Sequence, residues 1–415
     1  MRIGVIGAGV IGVTSAYMLA RRGYDVILID ARDRPAGLSS HANGGQLSYS
    51  YVAPLAEPGV LGSMPGWLWD THSPLRFRPR CSLHQWRWTL AFLRACRTSA
   101  FLESTSQLLA LSSLSQAALH TLLQSEPIDF DLRRNGKLIV YRDRALLEKA
   151  ARQVAYQAGH GSDQRILSPE EVVGLEPSLR TMAAHMAGAV YTPGEEVGDC
   201  RKFTSELYDR LGRLPRVTRL MNTTVLKMRR AGGRITAAHT SRGDVEADVF
   251  VIAGGMGSRA LLSPLGQDAP LYPLKGYSLS VPLPDRGDMA PVISVTDYQR
   301  RIVYARIGGI LRIAAMVDMG WDDSNPAPKR IASLKRHVGE TFPGLALDRA
   351  EPWAGLRPAT PSGKPLIGAS PAVDNLWLNI GHGALGFTLA CGSAALLASQ
   401  IAGDRPPIDP SAFRP

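Results

Sequence analysis

The sequence predicts an α/β fold whose nucleotide-binding domain is assembled from separate segments of the chain. Residues 2–30 contain a strand, a glycine-rich turn, a helix and a second strand in that order. Apolar strands that end in glycine return near residues 254 and 381. Because these strands are far apart in the chain, one sheet must collect them from a distance, and the intervening segments form a second domain. A chain of 415 residues with 45% hydrophobic content is long enough for two packed domains.

The first strand-helix-strand unit carries the pattern of a dinucleotide site. RIGVI at 2–6 predicts a buried strand, and Gly7, Gly9 and Gly12 follow in G-x-G-x-x-G order. Glycine allows a tight turn and close approach of the backbone to a pyrophosphate, and the N-terminus of the next helix attracts the phosphates. Asp30 ends the second strand, 18 positions after Gly12, where a carboxylate would accept hydrogen bonds from ribose hydroxyls. Such an acid disfavours NADP, whereas NAD and FAD both stay open.

The segments that follow favour FAD. Residues 37–48 are small and polar, and the chain then enters a long aromatic, helical region instead of the further βα repeats of a nicotinamide domain. A β-meander within 222–253 leads into Gly254 and Gly255, and LWLNIGHG at 376–383 marks a third crossing. Three separate segments that meet at glycine corners suit one extended dinucleotide.

Several longer motifs resemble those of one known family. They are VIGAGVIG, SSHANGGQLS, YVAPLAEPGV, YPLKGYSLSVPL, WAGLRPATPSGKPLIG and LWLNIGHGALGFTLACGS, in this order along nearly the whole chain. The chain resembles the FAD-dependent D-amino acid oxidoreductases, most closely the bacterial D-amino acid dehydrogenases of the small-subunit type. The resemblance implies FAD as cofactor and a discontinuous Rossmann-like FAD-binding domain of the glutathione-reductase type. It also implies an α+β substrate domain built on an antiparallel sheet.

The chain divides on this basis into two domains and a tail. The substrate domain is expected to hold a helical stretch over 84–124 and a hairpin that turns on Gly308 and Gly309. The uncharged stretch 383–403, rich in Gly, Ala and Ser, predicts a helix buried in protein rather than a membrane span. The boundaries are 1–50, 186–270 and 352–410 for the FAD-binding domain, 51–185 and 271–351 for the substrate domain, and 411–415 for an exposed tail.

The glycine pattern and the resemblance together predict the residues that hold FAD. The segment from Ser39 to Gln46 is expected beside the flavin, and Gly381–Thr388 at the pyrimidine end of its ring. The full set is Gly7, Ala8, Gly9, Val10, Ile11, Gly12, Asp30, Ala31, Arg32, Ser39, Ser40, Asn43, Gly44, Gly45, Gln46, Val225, Ala253, Gly254, Gly255, Arg357, Gly381, His382, Gly383, Ala384, Leu385, Gly386, Phe387 and Thr388.

Arg357 is an isolated charge in an apolar, proline-containing run. It either pairs with a core carboxylate such as Glu351 or is reserved for an anion. A guanidinium can hold a carboxylate through two parallel charge-assisted hydrogen bonds. In glycine oxidase-like relatives of the family that the chain resembles, the arginine of the GLRP motif grips the substrate carboxylate, which implies this role for Arg357.

Tyrosines are candidate walls of the substrate pocket, because they combine an apolar face with a hydroxyl donor. Tyr277 is the first choice for a catalytic and substrate-binding role. Tyr304, Tyr49 and Tyr51 are further candidates, and a core or surface position is the alternative for each. His382 lies where a strand meets a helix, so it would stabilise negative charge near flavin N1 and O2 or merely cap the turn.

His41 in SSHANGG raises the hypothesis of a covalent flavin. Some flavoenzymes of the superfamily link the flavin to a histidine in a comparable position, whereas D-amino acid dehydrogenases generally have other residues there. Both outcomes stay open from the sequence.

Charge and aromatic residues bear on location and partners. The net charge is +11, but basic residues form no consecutive block and no nucleic-acid module is recognisable, so no nucleic-acid partner is expected. Four cysteines without metal-ligand spacing predict reduced thiols in a cytoplasmic protein and no metal site. Between residues 59 and 101, tryptophan alternates with arginine, which suits peripheral contact with the inner face of a membrane or packing in the substrate domain. The residues are Trp67, Trp69, Trp86 and Trp88 with Arg76, Arg78, Arg80, Arg87, Arg94 and Arg97.

The resemblance implies FAD-dependent oxidative deamination of D-amino acids. A hydride would pass from the substrate α carbon to flavin N5, and the electrons would go on to a membrane quinone or another acceptor. The alternatives are an oxidase that reduces oxygen, an enzyme of secondary D-amines such as D-proline or D-hydroxyproline, and a non-catalytic basic protein that binds lipid or nucleic acid.

Overall fold

A computed structural model describes residues 1–60, 73–158, 163–284 and 289–415. It confirms the α/β class. Trp67 and Trp69 lie outside the described residues. The helices are α1 (Val10–Arg21), α2 (Leu83–Ala95), α3 (Thr98–Ser125), α4 (Arg144–Ala158), α5 (Pro169–Leu175), α6 (Cys200–Leu211), α7 (Ser258–Leu262), α8 (Pro328–Thr341) and α9 (Gly386–Ala402).

The strands fall into two large sheets and two small ones. They are β1 (Arg2–Ile6), β2 (Asp25–Ile29), β3 (Gln46–Leu47), β4 (Leu75–Phe77), β5 (Lys137–Tyr141), β6 (Arg165–Leu167), β7 (Gly188–Thr192), β8 (Glu196–Val197), β9 (Val217–Leu220), β10 (Val225–Ala231), β11 (Arg234–Thr240), β12 (Gly243–Val245), β13 (Val249–Ile252), β14 (Tyr272–Pro282), β15 (Ser294–Asp297), β16 (Ile302–Ile307), β17 (Ile310–Met319), β18 (Glu351–Ala359), β19 (Leu366–Ala369) and β20 (Leu376–Ile380).

The first large sheet joins the three predicted glycine crossings. Its strand order is β19-β20-β13-β1-β2-β9, and every neighbouring pair except β19 and β20 is parallel. The turns after β1, β13 and β20 therefore meet at one edge of the sheet, as expected for a dinucleotide site. The β-meander is also confirmed, as the small sheet β10-β11-β12.

Helix α9 lies in the core of this domain, packed against α1 and α3. Gly383–Ala402 is long and apolar enough to cross a membrane, but 67% of its apolar window is buried. The prediction of a helix buried in protein is confirmed. The predicted helical stretch 84–124 forms two helices, α2 and α3, and α3 contributes buried leucines such as Leu108 and Leu119 to the core that α1 and α9 share.

The second large sheet is mostly antiparallel, with the order β18-β14-β17-β16-β15-β5-β7-β6 and β4 paired to β17. Two of its pairs, β5 with β15 and β4 with β17, are parallel. The predicted hairpin at Gly308 and Gly309 joins β16 to β17. The sheet also corrects the domain boundaries, because β7 and β18 belong to it by hydrogen bonding although the sequence assigned both to the FAD-binding domain.

Burial corrects one further expectation and decides between two alternatives for Trp88. The tail 411–415 is not wholly exposed, because Phe413 is buried in the core beside α9. Trp88 is also buried: its ring stacks on Phe92, and its Nε1 donates to the main-chain oxygen of Ala359 at 3.0 Å. Trp88 therefore packs the protein interior, and only Trp86 of the two described tryptophans of α2 is exposed.

Candidate active site

One cavity of about 630 Å³ is lined by residues of both large sheets. The first sheet contributes its glycine corners, including the loops after β1, β13 and β20. The second contributes residues of β14, β15, β16, β17 and β18, and β5 adds Lys137. The segment from Gly37 to Ser48 runs between the two groups and lines the cavity along much of its length.

The glycine turn after β1 forms a tight corner at one end of the cavity. Gly7 has φ +109°, and a Cβ there would lie 2.6 Å from the main-chain oxygen of Ala253. A Cβ on Gly12 would overlap the main-chain oxygen of Gly7. The strand, the turn and α1 are thus packed as closely as backbone atoms allow. Because its glycines have no side chains, the backbone of the turn stays accessible to a ligand.

Asp30 closes this corner from the end of β2. One carboxylate oxygen accepts from the main-chain N–H of Ala8 at 2.6 Å, and the other accepts from that of Arg32 at 2.8 Å. On the opposite side, the Ser40 hydroxyl accepts from the N–H of Val10 at the start of α1, 3.1 Å away. These bonds hold the turn in place before any ligand enters.

Arg357 extends from β18 and lines the cavity. Its Nη1 donates to the main-chain oxygen of Met316 at 3.1 Å. Within the described part of the chain, no carboxylate lies within 4 Å of its guanidinium, and Glu351 is exposed at the far end of β18. Burial lowers the pKa of Arg357 to about 10, so it remains a cation at neutral pH. Pairing with Glu351, one alternative from the sequence, is therefore wrong.

A second cation, Lys137, lines the same cavity from β5. Its Nζ donates to Gln46 Oε1 at 3.1 Å and to Ser48 Oγ at 2.9 Å, and it lies 4.5 Å from the centre of the Tyr51 ring. Burial lowers the pKa of Lys137 to about 8, against an opposing attraction from Glu195.

The candidate tyrosines separate into two groups. Tyr51 and Tyr277 line the cavity, although the Tyr277 hydroxyl already donates to Asp318 at 2.8 Å. Burial, and then the Asp318 carboxylate, raise the pKa of Tyr277, so the hydroxyl stays protonated. Tyr49 and Tyr304 are buried outside the cavity lining, where Tyr49 contacts Glu196 and Tyr304 packs in the core of the substrate domain. The structure therefore gives a substrate-binding role for these two no support.

His382 lines the cavity at the end of β20 but is held neutral. Its Nε2 lies 2.9 Å from the Ser393 hydroxyl, and burial lowers its pKa to about 3. A neutral imidazole adds no positive charge, so stabilisation of negative charge at this end of the cavity would rest on the main-chain N–H groups at the start of α9.

Comparisons with known proteins identify the family. A family model described as FAD dependent oxidoreductase matches residues 2–400. The chain belongs to this family. It is 47% identical over 418 residues to a protein of Ralstonia nicotianae named D-amino acid dehydrogenase 2, with 98% of each chain covered. It is also 47% identical over 417 residues to a Pseudomonas aeruginosa protein of the same name, covering 100% of this chain and 98% of the other.

Solved structures agree on the fold. Glycine oxidase from Geobacillus kaustophilus superposes with a TM-score of 0.77 at 21% identity, covering 100% of this chain and 98% of that one. L-proline dehydrogenase from P. horikoshii gives a TM-score of 0.77 at 16% identity, covering 100% and 96%. Membership of an oxidoreductase family gives no support to the alternative of a non-catalytic binding protein.

The cavity fits FAD, the cofactor of the family. The close-packed glycine turn and the start of α1 would hold the diphosphate, and Asp30 would hold the ribose. Most of the predicted FAD-binding residues line the cavity, but Gly12, Ala31 and Val225 do not. Gly12 acts through backbone packing instead. Ala31 is exposed and Val225 begins the small sheet, so no contact with FAD is assigned to either.

His41 is not among the residues that line the cavity, although Trp353, which its ring contacts, is. Its ring stacks on Trp353, with 6.4 Å between ring centres, and burial followed by nearby arginines lowers its pKa. Its neighbours Ser40 and Ala42 line the cavity instead. The structure therefore gives covalent attachment at His41 no support.

Sequence reasoning missed several cavity residues. Lys137 opens an otherwise apolar strand, KLIVY, and a lone charge in a buried strand is the same signal that singled out Arg357. Thr296 and Arg301 had no such signal, because polar residues at the ends of strands are common. Gly276 was also missed. A Cβ at this position would overlap the guanidinium of Arg357, a contact that is visible only in the folded structure.

Proposed function

We propose that this protein oxidatively deaminates D-amino acids. The observation that carries the proposal is the Arg357 guanidinium, which faces the FAD cavity as a cation with no carboxylate partner among the described residues. Every amino acid presents a carboxylate, and a guanidinium can hold it with charge-assisted bonds of about 1.5–3 kcal/mol each. The D configuration is supported by the names of the relatives at 47% identity.

The residues around Arg357 would fix the position of the substrate. The Met316 carbonyl holds one edge of the guanidinium, and Gly276 leaves room for it. The remaining N–H donors then receive the substrate carboxylate, which orients the α carbon. Bound FAD supplies the acceptor for the hydride that leaves this carbon. The product is a 2-imino acid, which water hydrolyses to a 2-oxo acid and ammonia.

Anaerobic mixing with matched D- and L-amino acids tests the proposal. We expect D-enantiomers to bleach the visible absorption of the flavin, because no oxygen is present to reoxidise it. Bleaching by L-enantiomers alone, or by neither series, would refute it. Readmission of air then separates a dehydrogenase from an oxidase, since we expect little hydrogen peroxide.

We further propose that the electrons pass to a membrane quinone. We also propose that the protein is cytoplasmic and that it docks on the inner face of the membrane through α2. This helix exposes three large apolar side chains at helical spacing: Leu83 (66% exposed), Trp86 (45%) and Leu90 (55%). The same face carries two exposed cations that suit anionic lipid headgroups, Arg87 and Arg94, and exposed Arg97 follows just beyond the end of the helix. A quinone is confined to the membrane, so an enzyme that reduces it must approach the lipid.

A further inference from the structure

A polar cluster lines the cavity at a different part of the substrate-domain sheet from Arg357. Lys137 is on β5 and Thr296 is on the neighbouring strand β15, whereas Arg357 is on β18. Four strands stand between β5 and β18 in the sheet order. The cluster and Arg357 are therefore separate parts of one cavity.

Hydrogen-bonding capacity is left over in this cluster. Lys137 is 2% exposed and uses two bonds, to Gln46 and Ser48, although an ammonium has three donors. Thr296 is 7% exposed, and its Oγ1 has no hydrogen-bond partner among the described residues. Buried polar groups are costly without partners, so an acceptor oxygen brought by a ligand would satisfy both side chains.

The charges around the cavity favour an anion at this cluster. Among the described residues that line the cavity, Asp30 is the one carboxylate, and it is bonded to the glycine turn. Arg301 also lines the cavity but is paired with Glu57 at 2.7 Å. Lys137 has no carboxylate within 4 Å in the described part of the chain. Arg32 lines the cavity too, but it is exposed at the glycine-turn corner beside Asp30. Lys137 is therefore the available cation on the substrate-domain sheet outside the Arg357 site.

We propose that Lys137 and Thr296 form a subsite for the substrate side chain. The subsite selects D-amino acids whose side chain ends in a carboxylate or carboxamide oxygen, as in glutamate and glutamine. The inference rests on the proposed function, because it takes Arg357 as the site of the α-carboxylate. It goes beyond that function by naming the class of side chain.

The protonation state of Lys137 supports a preference for an anion at neutral pH. Its pKa of about 8 leaves most of the population charged at pH 7, and the charge is lost as pH rises through 8. Burial raises the pKa of both titratable neighbours, the Tyr51 hydroxyl and the Glu195 carboxyl. We therefore expect the preference for D-glutamate over D-glutamine to shrink above pH 8.

Equilibrium binding tests the subsite without turnover. Glutarate keeps the carbon chain and both carboxylates of glutamate but has no amine, and 5-methylhexanoate has the same shape with one carboxylate. We expect the flavin spectrum of the holoenzyme to report tighter binding of glutarate than of 5-methylhexanoate. We expect Lys137→Met to reduce this difference in affinity at least tenfold. Thr296→Val removes only the hydroxyl and is expected to reduce it about threefold.

Turnover gives the second measurement, as the ratio of kcat/KM for D-glutamine to that for D-homoleucine, which has the same shape. We expect the wild-type ratio to exceed one and Lys137→Met to lower it at least tenfold. Lys364→Met is the matched control, because Lys364 also donates to a glutamine, Gln107, but lies outside the cavity lining. We expect it to leave the ratio unchanged.

Clear outcomes would overturn the subsite. A wild-type ratio of kcat/KM for D-glutamine over D-homoleucine below one would overturn it. A ratio for Lys137→Met within twofold of the wild-type ratio would also overturn it. If Lys137→Met failed to retain flavin, an unchanged glutarate advantage in Thr296→Val would decide against it. Failure of every D-amino acid to bleach the flavin would instead refute the proposed function, and glutarate binding would still test the subsite.

Discussion

The guanidinium of Arg357 donates to the main-chain oxygen of Met316, 3.1 Å away, and Met316 holds a positive φ of 66°. A non-glycine residue in this region stores strain, which must be offset by its surroundings. Met316 lies where β17 shifts register against β14, between the pairs made by Lys275 and Tyr277. This irregularity in β17 aims a carbonyl at Arg357 and holds one edge of its guanidinium.

Replacement of Arg357 by alanine is expected to leave a folded, yellow protein that uses substrate poorly. Loss of two charge-assisted bonds of about 1.5–3 kcal/mol each lowers kcat/KM by roughly 10²–10⁴. Steady-state kinetics and the visible spectrum measure both effects. Arg213→Ala, on the exposed surface, is the control and should behave as wild type. A normal KM in Arg357→Ala would rule out its role in substrate binding.

Gly276→Ala tests whether the position of Arg357 matters apart from its charge. The new Cβ would overlap the guanidinium, which is the flexible end of a side chain and can move aside. We therefore expect the melting temperature and flavin content to change little, while KM rises tenfold or more. Gly309→Ala, where a Cβ meets no atom of the described residues within 4 Å, is the control in the same sheet. Unchanged KM in Gly276→Ala would show that the substrate does not need this geometry.

Gly12→Ala addresses the other end of the cavity. Here the added Cβ overlaps the main-chain oxygen of Gly7, and backbone cannot move aside cheaply. The turn would open, so we expect loss of FAD and a lower melting temperature. The ratio of visible to ultraviolet absorbance measures FAD content. Gly174→Ala, on α5, should keep both values, because a Cβ there has no neighbour within 4 Å in the described part of the chain. A fully loaded Gly12→Ala protein would contradict this account of the turn.

The predicted residues that the structure brings to the cavity include those whose type is unusual for their surroundings. Arg357 stood out in an apolar run, and the glycine corners stood out at the ends of apolar strands. Tyr49 and Tyr304 could not be placed from the sequence, because a buried tyrosine is equally suited to a core and to a cavity wall. The boundary at β18 was wrong for another reason. Strand β18 belongs to the substrate-domain sheet because it pairs with β14, which is distant in the sequence. No local sequence pattern predicts this pairing.

The buried neutral state of His382 predicts a pH-dependent stability. Its pKa is about 3 in the folded protein and 6.5 in the reference state. Below pH 6.5 the unfolded chain binds a proton that the native state refuses, so stability falls as pH falls toward 3. Between pH 7 and 4.5 the loss is about 2–3 kcal/mol.

Urea unfolding at these two pH values, at a fixed excess of FAD, measures this loss. Over the same interval, we expect the free energy of unfolding of His382→Gln to fall by about 2–3 kcal/mol less than that of the wild type, since the substitution removes the titrating group. His185→Gln, at an exposed histidine, should match wild type. Equal losses in all three proteins would show that His382 does not refuse the proton.

The exposed face of α2 predicts where the protein meets the membrane. Trp86 and Leu90 lie one turn apart on this face, and Trp86 also contacts Phe77 edge to face. Burial of an apolar side chain in lipid gains roughly 1.5–3 kcal/mol, so a Trp86→Ser/Leu90→Ser double variant should bind vesicles of anionic lipid at least tenfold more weakly. Vesicle sedimentation at low and high salt measures this binding. Leu226→Ser removes an equally exposed leucine from β10 and should leave it unchanged. If wild type failed to sediment with anionic vesicles, or if the double variant bound as tightly as wild type, α2 would not be the docking face.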